Sequence, residues 1–80
     1  MKLLMCDDDI STLDVVQNQV DWAELGITRI LRAYNGNAAK ELLLKEKPEL
    51  VLCDSGMPLC DGMEVLRFVH ENGLNTRFAF

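Results

Sequence analysis

Two short apolar runs of this chain end in carboxylates: Leu3-Leu4-Met5-Cys6 runs into Asp7-Asp8-Asp9, and Leu50-Val51-Leu52-Cys53 runs into Asp54. If the two runs lie side by side, Asp7, Asp8 and Asp54 converge. Three carboxylates within a few ångströms repel one another, and without a cation at least one holds its proton to higher pH than a free Asp. Hard oxygen donors of this kind suit Mg²⁺, which keeps several waters and takes one or two protein carboxylates. The cluster turns reactive if one carboxylate attacks phosphorus, since Asp serves as nucleophile in aspartyl-phosphate chemistry, with a divalent cation neutralising charge on the transferred group. Gly56, two residues beyond Asp54, has no side chain to keep its carbonyl away from an ion. Each feature also has a plainer reading. Asp7-Asp8-Asp9 reads as a solvated strand end with a helix cap, Asp54 as the start of a turn, and Asp61-Gly62 as ordinary turn chemistry.

The elements that must position these groups are legible along the chain. Leu3–Cys6 and Leu50–Cys53 are short apolar runs with sharp polar stops, as expected of strands buried on both faces. From Ser11 to about Glu24, Leu13, Val16 and Val20 recur at helical spacing, with Asp9 or Ser11 as cap and Gly26 as terminator. Ile27–Ala33 is β-branched and partly alternating, which predicts a strand near a sheet edge. Asn35-Gly36-Asn37 signals a turn and a cap. Ala38–Lys47 follows as a helix with Ala39, Leu42 and Leu43 inward, stopped by Pro48. Residues 55–62 form a Gly, Pro and Asp-rich loop. Met63 to about Asn72 is helical with Val65, Leu66 and Val69 inward, and Gly73 ends it. Arg77-Phe78-Ala79-Phe80 opens a fourth strand. The order βαβαβαβ predicts an α/β fold with a parallel sheet and helices on both faces, and ligands then sit beyond the carboxyl ends of the strands.

Composition excludes several function classes. At 80 residues, 49% hydrophobic and 26% charged, the chain is one small domain rather than a disordered segment. Lys and Arg number 8 against 13 Asp and Glu, and the cations form no block, so direct nucleic-acid binding is disfavoured. No apolar run reaches the length of a membrane span and no signal peptide opens the chain, which predicts a cytoplasmic protein without membrane contact. Cys6, Cys53 and Cys60 make an odd number, arguing for reduced thiols. Cys6 and Cys53 read as buried small hydrophobes, and three cysteines without a nearby histidine fall short of a zinc site. The single histidine, His70, is placed on the polar side of a helix. Phe68 and the four methionines read as core or near-core, and Trp22 as a packing residue at a helix end.

With these residues in view, the chain resembles the receiver domains of two-component response regulators. Leu3–Asp9 is similar to their opening strand and acidic pair. Asp54-Ser55-Gly56-Met57-Pro58-Leu59-Cys60-Asp61-Gly62 resembles their phosphoacceptor segment, Asp-x-x-Met-Pro-x-x-Asp-Gly, and Asn35-Gly36 with Ala39 and Pro48–Leu52 fit the joining pieces. Asp21–Ile27 is similar to the helix exit of receivers joined to AraC-type DNA-binding domains. The resemblance covers residues 1–80 and implies a flavodoxin-like (CheY-like) doubly wound parallel sheet of strand order 2-1-3-4. It implies Asp54 as phosphoacceptor and Mg²⁺ ligand, Asp8 as direct Mg²⁺ ligand, Asp7 as a ligand through water, and the Gly56 carbonyl in the same shell. Met57 and Pro58 would shape the loop, while Asp61 and Gly62 set up the turn into the third helix. The implied partners are a sensor histidine kinase and a C-terminal output domain that binds DNA.

Such domains continue past the fourth strand with a Ser or Thr switch residue, a helix, a fifth strand ending in Lys, and a last helix. The 80 residues match about the N-terminal two-thirds of that pattern, so the expectation is that this stretch alone is not a complete switch. An uncovered fourth-strand edge is a pairing template, which predicts self-association or element swapping. Two other readings compete. Leu3–Ser11 also fits the Asp-x-Asp-x-Ser/Thr pattern of haloacid-dehalogenase-like phosphatases, with Asp7 as nucleophile and Asp9 as general acid. A pseudo-receiver would share the fold as an interaction module that is never phosphorylated.

Overall fold

The structure is a computed structural model, and it describes residues 1–53 and 62–79. Along them run β1 (Lys2–Cys6), α1 (Ile10–Gln19), β2 (Arg29–Ala33), α2 (Gly36–Glu46), β3 (Leu50–Cys53), α3 (Gly62–Glu71) and β4 (Arg77–Ala79). All strand pairs are parallel and the sheet order is β2-β1-β3-β4. This is the doubly wound α/β sheet of order 2-1-3-4, and Ile27–Ala33 does supply an edge strand, beginning at Arg29.

Side chains of a strand alternate between faces, and β1 is apolar on both. Leu4 and Cys6 join Ala33, Val51 and Cys53 under Ala39 and Leu43 of α2 and Val65 and Val69 of α3. Leu3 and Met5 face the other way, against Leu13 of α1 and Ile27. One central strand thus feeds two cores, which is why its apolar run is continuous rather than alternating. Leu42 and Leu66 are half-buried at the rims of the inward helical faces. Trp22 packs on the second core together with Val16.

The helix boundaries follow their caps. Asn35 Oδ1 accepts from the Ala38 N–H at 2.8 Å, so α2 opens two residues before the expected Ala38. Its end is a left-handed Lys47 (φ 48°) whose N–H reaches the Leu43 carbonyl at 3.2 Å, followed by the fully buried Pro48. α1 stops at Gln19, five residues short of the expected Glu24. The cause is local competition for backbone groups. Asp21 Oδ1 accepts from the Glu24 N–H at 3.3 Å, and Trp22 Nε1 donates to the Gln17 carbonyl at 3.2 Å. Residues 22–26 then close as a turn, with Gly26 at φ 82°. Val20, expected on the inward face, is consequently 38% exposed. The methionines also divide: Met5 is core, whereas Met1 and Met63 are exposed, because they lie at the chain start and on the outer face of α3. Met57 lies outside the described residues.

Two polar contacts fix the layers. Arg32 of β2 donates from Nη1 to Asp14 Oδ1 at 2.7 Å, and from Nε and Nη2 to Gln17 Oε1 at 2.9 and 2.6 Å, holding α1 to the sheet edge. Asp14 first, then Tyr34, holds the Arg32 guanidinium above its ordinary value. At the opposite end, Glu46 Oε1 pairs with Arg29 at 2.9 Å and with Lys2 at 3.5 Å, so Lys2 is occupied at the amino end of β1, away from Asp7 and Asp8.

Candidate functional site

The acidic segment leaves the carboxyl end of β1. The ladder to β2 continues one step past the strand, the Asp7 N–H donating to the Ala33 carbonyl at 3.1 Å, so Asp7 is fixed in position and its side chain is only 9% exposed. Asp7 Oδ1 accepts from the Asp9 N–H at 3.0 Å. Asp9 is the N-cap of α1, its backbone extended (φ −99°, ψ 105°) and its Oδ1 accepting from Ser11 N–H at 2.9 Å and Thr12 N–H at 3.4 Å. Asp8, between them, is exposed, and among the described residues its carboxylate makes no hydrogen bond or ion pair. Of the three acids, one is buried against the sheet, one caps the helix, and Asp8 is open to bind something.

A cleft of about 580 Å³ opens over this end of the sheet, lined by Asp7, Asp8, Asp9 and Thr12 at its polar side and by Met5, Leu13 and Leu52 below. No lysine or arginine is among the described residues that line it. A concentration of carboxylate oxygens without a neutralising side chain fits a hard divalent cation. Among the described residues no three His, Cys, Asp or Glu side chains form a group that could by itself hold a metal ion. Asp54, the third carboxylate of the sequence expectation, lies outside the described residues, as do Gly56, Met57, Pro58 and Asp61. Gly62 is the first residue of α3. The Mg²⁺ set is therefore described only for its β1 half. Thr12 is a lining residue that sequence reasoning passed over; the signal was its place three residues beyond a capping aspartate, in the first turn of α1.

The floor of the cleft holds the two cysteines expected to be buried, and the sheet makes them neighbours. Cys6 and Cys53 are register partners on β1 and β3, 1% and 2% exposed. The hydrogen bond to Cys53, followed by burial, pushes the Cys6 thiol far above its usual range, so it stays protonated at every physiological pH. Thiolate, the reactive form, is suppressed. In a Cys60→Ser background, an aromatic disulfide reagent should find no fast-reacting thiol in the native domain and two after urea; one fast native thiol would contradict this packing. His70 is exposed, as expected of a surface residue.

A three-layer parallel sheet with an acidic strand end at the crevice is the architecture of a receiver, and the sequence agrees. The profile of the response regulator receiver domain matches residues 3–80, and the chain belongs to that family. Among curated relatives it is 35% identical over 77 residues to the uncharacterized transcriptional regulatory protein YesN of Bacillus subtilis (strain 168), covering 96% of this chain and 21% of that one. Among solved structures it matches the REC domain of AraT, a response regulator from Geobacillus stearothermophilus, with TM-score 0.86 and 26% identity over 96% of this chain and 60% of that one. A two component transcriptional regulator AraC from Clostridium phytofermentans ISDg gives TM-score 0.86 and 28% identity, over 98% and 64% respectively. The chain thus spans about a fifth of that curated relative and about three-fifths of those two structures. The phosphatase reading is not favoured. Its general acid, Asp9, has Oδ1 engaged with two backbone N–H groups, and a receiver profile accounts for nearly the whole chain.

Proposed function

We propose that this receiver domain accepts a phosphoryl group on Asp54 from a phosphohistidine of a sensor kinase, in the presence of Mg²⁺. The observation that carries the reading is the register pair Cys6↔Cys53. From those two neighbouring residues the chain passes directly to Asp7 and to Asp54, so acidic residues follow adjacent strand ends at the cleft. Asp8, with Asp7 through water and the Gly56 carbonyl, would hold the cation, which when bound offsets negative charge on the phosphoryl oxygens. An Asp54 carboxylate oxygen forms the new bond to phosphorus. The bond from phosphorus to the histidine nitrogen breaks, and the nitrogen keeps the electron pair. Water later hydrolyses the acyl phosphate and restores the carboxylate. Met57, Pro58 and Asp61 are assigned to shaping the loop.

The same reading places the domain in the cytoplasm, where its kinase would present the phosphohistidine. No helix among the described residues is long and apolar enough to cross a membrane. It also assigns a DNA-binding output domain to the longer protein, as the names of the relatives suggest. Among the described residues β4 is an edge strand, with Arg77 and Ala79 exposed, and the reading includes self-association of this 80-residue stretch along it. Intact-mass measurement with Mg²⁺ and a small acyl phosphate tests the central assignment. One phosphoryl increment is expected on the parent chain and none on Asp54→Ala. An increment that persists in Asp54→Ala, or none on either, defeats it.

A further inference from the structure

Asp9 follows the two acids assigned to the cation, and its own carboxylate is turned elsewhere. We infer that Asp9 is a positioning residue for the cation site: its cap on α1, not its charge, sets where Asp8 stands. This rests on the reading of Asp7 and Asp8 as cation ligands.

The argument is one of constraint on a short segment. Asp7 is held to β2 through its N–H on Ala33. Asp9 is held twice, by its N–H on Asp7 Oδ1 at 3.0 Å and by its Oδ1 on the Ser11 and Thr12 N–H groups at 2.9 and 3.4 Å. Its carbonyl accepts the Leu13 N–H at 3.3 Å, the first helical bond of α1. Leu13 is 4% exposed and locked in the second core with Leu3 and Met5. The residues on either side of Asp8 are therefore tied, Asp7 to the sheet and Asp9 to Asp7 and to a helix anchored in the core, and the exposed Asp8 side chain projects from a fixed base. Without the cap, the first turn of α1 loses its partner for two N–H groups and can fray. Asp8 would then spend ordering entropy on binding that the folded chain now spends in advance. A short polar side chain is what the cap requires. Asn and Ser meet that need as well as Asp, and Ala does not.

Calorimetric titration of the folded chain with MgCl₂ separates geometry from charge. Asp9→Asn and Asp9→Ser lose the same charge as Asp9→Ala but keep the cap, so both should bind more tightly than Asp9→Ala. Asp9→Ala should bind roughly fivefold more weakly than Asp9→Asn, as expected if about 1 kcal/mol of capping free energy is drawn on binding. Asp9→Glu keeps the charge but lengthens the side chain out of the cap; it should weaken binding like Asp9→Ala, and it decides the matter should Asp9→Ala fold poorly by circular dichroism. Weakening in Asp9→Asn equal to that in Asp8→Asn would make Asp9 a ligand and overturn the inference. So would parental affinity in both Asp9→Ala and Asp9→Glu, which would leave the cap a purely structural feature. A parent chain that binds no Mg²⁺, or binds it equally well as Asp8→Asn, removes the underlying reading instead.

Discussion

Leu4→Ala should cost the domain most of its stability in buffer at 25 °C. Leu4 is fully buried in the central strand, paired with Leu31 on one side and Val51 on the other, and belongs to the larger of the two cores. Truncating a buried leucine removes its transfer free energy and leaves a cavity, at a cost of about 2–5 kcal/mol. The core of a chain of about this size rarely supplies more than roughly 3–5 kcal/mol. The loss is therefore comparable to the whole stability. Leu44→Ala is the control: Leu44 lies one position on from the buried Leu43 but is half exposed, and its loss should cost no more than about 0.5 kcal/mol. Urea titration followed by far-UV circular dichroism reads both. A cooperative transition for Leu4→Ala within about 1 kcal/mol of the parent would contradict the assignment of β1 as the shared wall of two cores.

The contrast between Leu4 and Leu44 also shows what a sequence reveals. The strands β1 and β3 were legible because a sheet covered on both faces demands unbroken apolar runs, and Leu3–Cys6 and Leu50–Cys53 are short, apolar and stopped by aspartate. The inward residues of α2 and α3 were legible through their helical spacing, down to the half-buried Leu42 and Leu66. The exit of α1 was not. Val16 and Val20 continue the helical period, but Asp21 and Trp22 take the backbone groups that another turn would use, and side-chain competition of this kind leaves no trace in a hydrophobic pattern. The acid site was half legible for a related reason. Residue type and strand position marked Asp7, Asp8 and Asp9 as one cluster. Asp9 was already a cap candidate beside Ser11, but which acid is buried and which open depends on the N–H groups that lie nearest, and only the three-dimensional course of residues 7–13 supplies these. The thiol pair is similar: Cys6 and Cys53 end equivalent runs, and register alone makes them neighbours.

The division of labour among the acids has a consequence for stability that changes sign with Mg²⁺. In its absence, Asp8 is a negative charge beside Asp7 and Asp9 in a cleft whose described lining carries no cation. Like charges a few ångströms apart at a surface repel by roughly 0.5–1 kcal/mol in a water-like dielectric, and by more as water is excluded. Asp8→Asn keeps the shape and removes the charge. It should therefore raise the stability of the Mg²⁺-free domain by about that amount, because the exposed Asp8 carboxylate makes no hydrogen bond among the described residues to be lost. Mg²⁺ inverts the order. A ligand that binds only the folded state stabilises it by RT ln(1 + [L]/Kd), about 1.4 kcal/mol at tenfold excess over Kd, and only the parent retains the ligand that receives it. Melting curves of the two proteins, with MgCl₂ and with NaCl of equal ionic strength to separate screening from binding, should cross: Asp8→Asn higher without Mg²⁺, the parent higher with it. Parallel responses to Mg²⁺ would mean that the cation screens the acidic cleft diffusely. An Asp8→Asn protein less stable than the parent without metal would mean that Asp8 is held by partners that stabilise its charge, and it would then not be the open ligand of the cluster.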